Sequence, residues 1–233
     1  MSAPPTLVLT RPEAQSIRFA EQCRARFGCG LNILIAPLME IRHLKTDLPP
    51  PVAKTVIFSS VNGVRSAKAN WPDAVFSGYA VGARTAAVGA EVGYDLISAD
   101  GDVESLFSRL MAEAPHGSMV HLRGVHSRGD LAERLISAGI ETDSVVLYDQ
   151  VECPASDGLL TALCGEMPLI VPLFSPRSAT IFSAKAKGCA APLHLVCISD
   201  GTARAVGVET DVMAIAQRPD AAHMLDAIEA LVQ

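Results

Sequence analysis

The chain has no apolar run near the ~20 residues that a membrane-spanning helix needs; residues 31–39 and 168–174 are its longest. It has no basic run, and its formal net charge of −6 argues against nucleic acid as a partner. Aromatic residues are scarce at 5%, with a single Trp, and charged residues make up 19%. With 49% hydrophobic residues, this is a core-forming composition, neither disordered nor collagen-like. The six cysteines show no CxxC spacing and stand mostly among apolar or small neighbours, so free buried thiols are expected. The six histidines never fall at HxxH or HExxH spacing, so no zinc site is expected. Also missing are a P-loop, a GxGxxG turn, a GxSxG elbow and any Ser/His/Asp set recognisable by spacing. The opening Met1-Ser2-Ala3-Pro4-Pro5 lacks the basic and apolar regions of a signal peptide, which leads to the expectation of a cytoplasmic protein with no membrane partner.

What is present is alternation. Short β-branched or Leu-rich runs are expected as strands at 7–9, 33–38, 56–58, 79–81, 96–97, 119–122, 145–148, 169–174, 194–198 and 211–216. Helical periodicity fills the intervals between them, at 13–27, 62–69, 84–92, 102–113, 128–138, 156–164, 177–187, 202–206 and 220–232. This pattern reads as parallel βα units and an α/β fold, and ten strands suit two sheets of about five.

An internal repeat supports two sheets. Phe58-Ser59-Ser60-Val61-Asn62-Gly63 resembles Phe174-Ser175-Pro176-Arg177-Ser178-Ala179, and Ala80-Val81-Gly82-Ala83-Arg84-Thr85-Ala86 resembles Cys197-Ile198-Ser199-Asp200-Gly201-Thr202-Ala203. A strand–Arg–helix–Gly–strand unit begins at Val8-Leu9-Thr10-Arg11 and again at His121-Leu122-Arg123. It stands first in the chain but last in the middle half. The topology this implies is one domain from residues 1–37 plus 152–233, and an inserted domain over 44–146. Extended stretches at 38–43 and 147–151 would join them as a two-stranded linker able to hinge.

In open parallel sheets, strand C-termini and helix N-termini face a common crevice where ligands bind. Ser59 or Ser60, and Ser175 ahead of Pro176, stand where they can cap a helix. The same geometry offers free N–H groups to an anion, and Thr85 and Thr202 repeat the arrangement. Arg11, Arg65, Arg84, Arg123, Arg128, Arg177 and Arg204 fall on or beside these junctions. Fourteen of the nineteen basic residues are Arg, whose fork matches carboxylates bidentately. Either these arginines are solvated helix faces, or together they suit a ligand with many carboxylates. Asp100, Asp102 and Glu104 are expected to cap and flank a helix.

A series of short motifs in order resembles the uroporphyrinogen-III synthase family: Leu9-Thr10-Arg11-Pro12, Ile57-Phe58-Ser59-Ser60-Val61-Asn62-Gly63-Val64, Val81-Gly82-Ala83-Arg84-Thr85-Ala86, Arg123-Gly124, Val146-Leu147-Tyr148, Phe174-Ser175-Pro176 and Thr202-Ala203. The resemblance implies two flavodoxin-like parallel-sheet domains, one discontinuous, joined by a two-stranded linker, with the substrate between them. It implies a lyase without metal or organic cofactor. This lyase closes linear hydroxymethylbilane to uroporphyrinogen III, with loss of water and inversion of the last ring, in haem biosynthesis. The substrate's eight carboxylates agree with the separate argument from helix starts and arginines. The resemblance also implies a monomer, and a transient partner in hydroxymethylbilane synthase. By it, Tyr148 is the catalytic candidate, assisting departure of the hydroxyl. Thr10, Arg11, Ser59, Ser60, Asn62, Arg84, Thr85, Arg123, Ser175 and Thr202 are the substrate-binding candidates. The family usually has Gly where this chain has Ser199, and Asp200 adds a negative charge beside it.

Two other readings stand beside this one. A non-catalytic two-domain relative could close on a polycarboxylate, or a flavodoxin-like sheet could serve a nucleotide- or flavin-dependent enzyme.

Overall fold

The structure, a computed structural model, describes residues 4–113, 117–126 and 130–232. The chain begins with β1 (Thr6–Leu9), α1 (Glu13–Phe27), β2 (Asn32–Ile35) and β3 (Met39–His43). It continues through β4 (Thr55–Phe58), α2 (Val61–Asn70), β5 (Ser77–Ala80), α3 (Ala83–Glu91), β6 (Asp95–Ser98) and α4 (Val103–Glu113). Next come β7 (Met119–Gly124), α5 (Leu131–Ser137), β8 (Thr142–Glu152) and α6 (Asp157–Leu163). The last elements are β9 (Leu169–Leu173), α7 (Pro176–Ala186), β10 (Leu193–Cys197), α8 (Asp200–Ala203), β11 (Val212–Ile215) and α9 (Ala221–Val232).

These elements form two compact units: Met1–Glu40 with Val151–Gln233, and Ile41–Gln150. The chain passes from the first to the second within β3 and returns within β8.

In the first unit the sheet order is β11-β10-β9-β1-β2, with every pair parallel. Alternate residues of one strand serve opposite faces. Leu169, Val171 and Leu173 of β9 meet Leu159 and Leu163 of α6 and Phe182 of α7, whereas Ile170 joins Phe19 of α1 and Met224 of α9. With both faces covered, strands can be apolar throughout, as β9 is. Emptying the space of the fully buried Phe182 would cost ~3–5 kcal/mol.

The second unit orders its strands β3-β8-β7-β4-β5-β6. Val56, Phe58, Val120 and Leu122 face α2 and α3, while Ile57 and Met119 face α4 and α5. Read from β6 to β8, this sheet repeats the order of the first read from β11 to β2. The repeat seen in the sequence is therefore a repeat of topology, with the two leading strands of one unit moved to the end of the other. Both orders are flavodoxin-like, and eleven strands stand among the described residues against ten expected. The extra one, β3, lies in the stretch read from sequence as extended connection.

All six cysteines are free, but only Cys23 and Cys197 are buried; Cys29 and Cys164 are exposed, and Cys153 and Cys189 are half-buried. The expectation of mostly buried thiols is corrected. Small neighbours marked helix ends and turns, such as Gly28 and Gly165, rather than core.

Candidate functional site

In each sheet one pair of neighbouring strands sends its following helices in opposite directions. In the second unit the pair is β4 and β7: β4 leads through α2 to β5, and β7 leads through α5 to β8 on the other side. Such a switch point leaves a crevice above the strand C-termini. Ser59 and Ser60 follow β4, and Arg123 and Gly124 end β7. Tyr148 lies opposite Gly124 on β8.

The two serines point to different partners. Ser60 caps α2: its extended backbone leads into the helix and its Oγ accepts the Asn62 N–H at 3.1 Å. Ser59 Oγ lies 2.9 Å from Nε2 of His121. His121 is buried, and burial, with Arg123 nearby, pulls its pKa down to about 4, so the ring is neutral at neutral pH.

Tyr148 reaches the crevice through a register shift. Arg123 pairs with Val146 but Gly124 pairs with Tyr148, so Leu147 is an extra residue on β8. Leu147 turns into the core beneath α2 and α3. The Tyr148 ring lies against Gly124, where a Cβ would come within 2.6 Å of Cε2 and Cζ. The phenol is 5% exposed; burial raises its pKa, and a hydrogen bond with Ser60 acts in the opposite direction.

Around this cluster, the half-buried Arg123 donates from Nη1 to the Gly124 carbonyl at 3.1 Å. At the end of β5, α3 starts from Gly82, whose carbonyl accepts from Thr85 N at 2.9 Å and Ala86 N at 3.2 Å. Gly82 has no side chain to cap this helix, so its first N–H groups are left for water or a ligand. Thr85 is buried there and Arg84 is exposed. Asp102 accepts from Ser105 N at 3.0 Å at the start of α4, the capping role expected of it.

The first unit has its switch point between β1 and β9. Their pairing stops at Leu7 and Ile170, two residues before Pro172, which has no N–H to offer a neighbour. Thr10 follows β1, fully enclosed, with an Oγ1 that has no hydrogen-bond partner. Arg11 lays its guanidinium 4.1 Å above the Phe174 ring and donates from Nε to Gln15 at 3.0 Å; burial, with Arg18, lowers its pKa to about 10, so it stays charged. Ser175 caps α7 in a capping box with Ser178. Thr202 is fully buried and its hydroxyl meets Ser199 Oγ at 3.2 Å. Its side chain is therefore engaged within the α8 cap.

Within the second unit the fold brings Ser59, Ser60, Asn62, Arg123 and Tyr148 together, with Arg84 and Thr85 at the next helix start. Within the first it groups Thr10, Arg11 and Ser175, with Thr202 at the following strand. Arg128 lies outside the described residues. Sequence reasoning gave no role to His121 or Gly124. A polar residue inside the apolar run Met119-Val120-His121-Leu122 was the available signal for the first.

A family model described as Uroporphyrinogen-III synthase HemD matches residues 18–226. The chain belongs to the uroporphyrinogen-III synthase family.

Among solved structures, the uroporphyrinogen-III synthetase of Helicobacter pylori is similar at TM-score 0.68 and 15% identity, over 97% of this chain and 99% of that one. A mutant uroporphyrinogen III synthase of the extremely thermophilic bacterium Thermus thermophilus gives TM-score 0.51 at 15% identity, over 97% and 98%. At this identity the likeness establishes the fold. No curated protein matches the chain. The uroporphyrinogen-III synthase family is a family of cyclising lyases that act on hydroxymethylbilane without a cofactor.

Ser199, where the resemblance led to an expectation of Gly, has a local role in the first unit. Its φ of −163° is extended backbone open to any residue, and its side chain caps α8 through Thr202 N at 3.4 Å. Asp200 occupies the first turn of that helix, where the dipole favours an acid, and is exposed.

Proposed function

We propose that this chain performs its family's reaction, closing hydroxymethylbilane to uroporphyrinogen III with Tyr148 as the donor to the departing hydroxyl. The observation that carries this reading is the Tyr148 phenol, set beside the amide-rich end of β4 and kept protonated by burial. The hydroxymethyl C–O bond breaks, a pyrrole N–H proton is lost, and water leaves behind a reactive azafulvene. A neutral phenol stabilises the leaving oxygen by a hydrogen bond, and its high pKa keeps full proton transfer a minor part of the help. Because the linear chain can close unaided to the uninverted isomer, the protein's work is to hold the terminal ring so that the substituted carbon reacts, which is catalysis by positioning.

The carboxylate arms are assigned to the helix starts and arginines. In the second unit these are Ser59, the α2 start at Ser60 and Asn62, Arg84 with Thr85, and Arg123. In the first they are Thr10, Arg11, Ser175 and the α8 start at Thr202. The same reading takes 1–37 with 152–233 as one domain and 44–146 as the inserted one, with 38–43 and 147–151 as connecting strands; the division into compact units supports it. It further takes the protein as a cytoplasmic monomer that can receive its substrate from hydroxymethylbilane synthase. Among the described residues no helix is long and apolar enough to cross a membrane.

The test is to add the purified protein to freshly generated hydroxymethylbilane, oxidise the products and separate the uroporphyrin isomers. Isomer III is expected. Isomer I alone would refute the proposal in favour of a non-catalytic polycarboxylate binder.

A further inference from the structure

A histidine inside a sheet needs partners for both ring nitrogens. His121 is 3% exposed, and its backbone is paired on both sides, with Ile57 of β4 and with Ser144 of β8. Its Nε2 lies 2.9 Å from Oγ of Ser59, the next residue after Ile57 on that side of the strand. The ring also lines a cavity of about 200 Å³ with Arg123, Asp130, Glu133 and Ser144, so it has polar company besides Ser59. A ring anchored in the middle of a sheet is a rigid support for a loop residue.

Ser59 is that loop residue. The cap of α2 is made by Ser60, whose Oγ accepts the Asn62 N–H at 3.1 Å, so the Ser59 hydroxyl is not needed there. A hydroxyl has one proton to give, and a neutral imidazole gives at one nitrogen and accepts at the other. Burial, and then Arg123, keep His121 uncharged at neutral pH, so it has one N–H to place. A carboxylate only accepts. A Ser59 that meets a carboxylate arm gives it this single proton, and toward His121 it can then only accept. The proton of the ring belongs, in that case, on Nε2.

We infer that His121 is a positioning residue for Ser59, giving its Nε2 proton to the Ser59 oxygen and so turning the Ser59 proton toward a carboxylate arm of the substrate. This rests on the reading that places Ser59 against such an arm, and it adds a residue from the middle of β7 that touches no substrate itself.

The native protein supplies the first test. With ¹⁵N-labelled histidine, the chain's six histidines give few ring signals, and those of His121 are the ones lost in His121→Gln. The probe is uroporphyrin III, an octacarboxylate whose binding needs no turnover. With it bound, the His121 proton is expected on Nε2. A proton on Nδ1 overturns the inference, because Ser59 would then be spending its own proton on the ring.

Binding is then measured as Kd for uroporphyrin III and, on hydroxymethylbilane, as KM beside kcat. His121→Leu, which keeps bulk and removes the donor, is expected to raise Kd and KM by about tenfold, the worth of one hydrogen bond to a charged group, with kcat little changed. His121→Gln, whose amide can carry an N–H to the place of Nε2, should recover most of the loss. In the Ser59→Ala background, His121→Leu should add nothing. The inference is overturned if His121→Leu weakens binding equally with and without the Ser59 hydroxyl, since that would be the loss of core packing alone. It is likewise overturned if Ser59→Ala leaves binding unchanged, or weakens it while His121→Leu does not. Isomer I alone, with uroporphyrin binding that still depends on His121 through Ser59, would take the reaction from the chain and leave the inference standing.

Discussion

Ser59 Oγ and His121 Nε2 stand 2.9 Å apart at the C-terminal ends of two neighbouring strands, β4 and β7. They share the sheet face that carries Ile57, opposite the face that carries Phe58. Two consecutive serines therefore do two jobs: Ser59 meets a buried histidine, and Ser60 caps α2. The arrangement follows from the period-2 geometry of the strand running on into the loop.

His121 makes stability depend on pH with a definite sign. Its pKa falls from 6.5 in the unfolded chain to about 4 in the folded one, because burial and Arg123 disfavour the charged ring. Between those values only the unfolded chain takes up the proton. The contribution is complete above pH 6.5 and is lost as pH falls toward 4. Urea unfolding at pH 7 and pH 4.5 should show the native protein losing about 2 kcal/mol more than His121→Gln. Equal losses would mean that His121 takes no part.

Tyr148→Phe should slow formation of isomer III by less than the ~100-fold that a matched general acid supplies. A raised phenol pKa makes the group a hydrogen-bond donor first. The fraction of isomer I, which forms without the protein, should rise as the catalysed route slows. Chromatography of the oxidised products measures both.

Gly124→Ala should be costlier than its size suggests. The new methyl would meet ring atoms at 2.6 Å, well inside van der Waals contact, and the ring sits in a packed site. Overpacking of this kind costs ~1–3 kcal/mol. Displacing the phenol should bring turnover to the level of Tyr148→Phe or below. A thermal or urea unfolding curve beside the isomer assay separates the two effects.

Ser199 should behave as a cap. Ser199→Gly is expected to cost only a few tenths of a kcal/mol and Ser199→Ala about 1 kcal/mol, because glycine is tolerated at a helix N-cap and alanine is not. Turnover should survive Ser199→Gly. A large loss there would show that the Ser199 hydroxyl meets substrate.

Much of the fold was legible because its signals are local. Strands and helices follow from apolar periodicity, and the internal repeat anticipated two sheets. Pro176 behind Ser175 marked a helix start that the structure places there. The choice between Ser59 and Ser60 as cap was not legible, since either serine could end the loop; where β4 stops decided it in favour of Ser60. Nor was the exposure of Cys29 and Cys164, whose neighbours gave the same composition as a packed core.

The sequence by itself determined the α/β pattern, the doubled and circularly shifted topology, the hydroxyls and arginines at strand ends, and the family motifs that name Tyr148. Only the tertiary structure decided that an extra residue on β8 sets Tyr148 over Gly124, that Ser59 meets His121 while Ser60 caps α2, and that His121 is neutral. Apolar periodicity is carried by neighbours in the chain. Register, burial and hydrogen-bond partners arise between segments far apart in sequence, and only the folded chain brings them together.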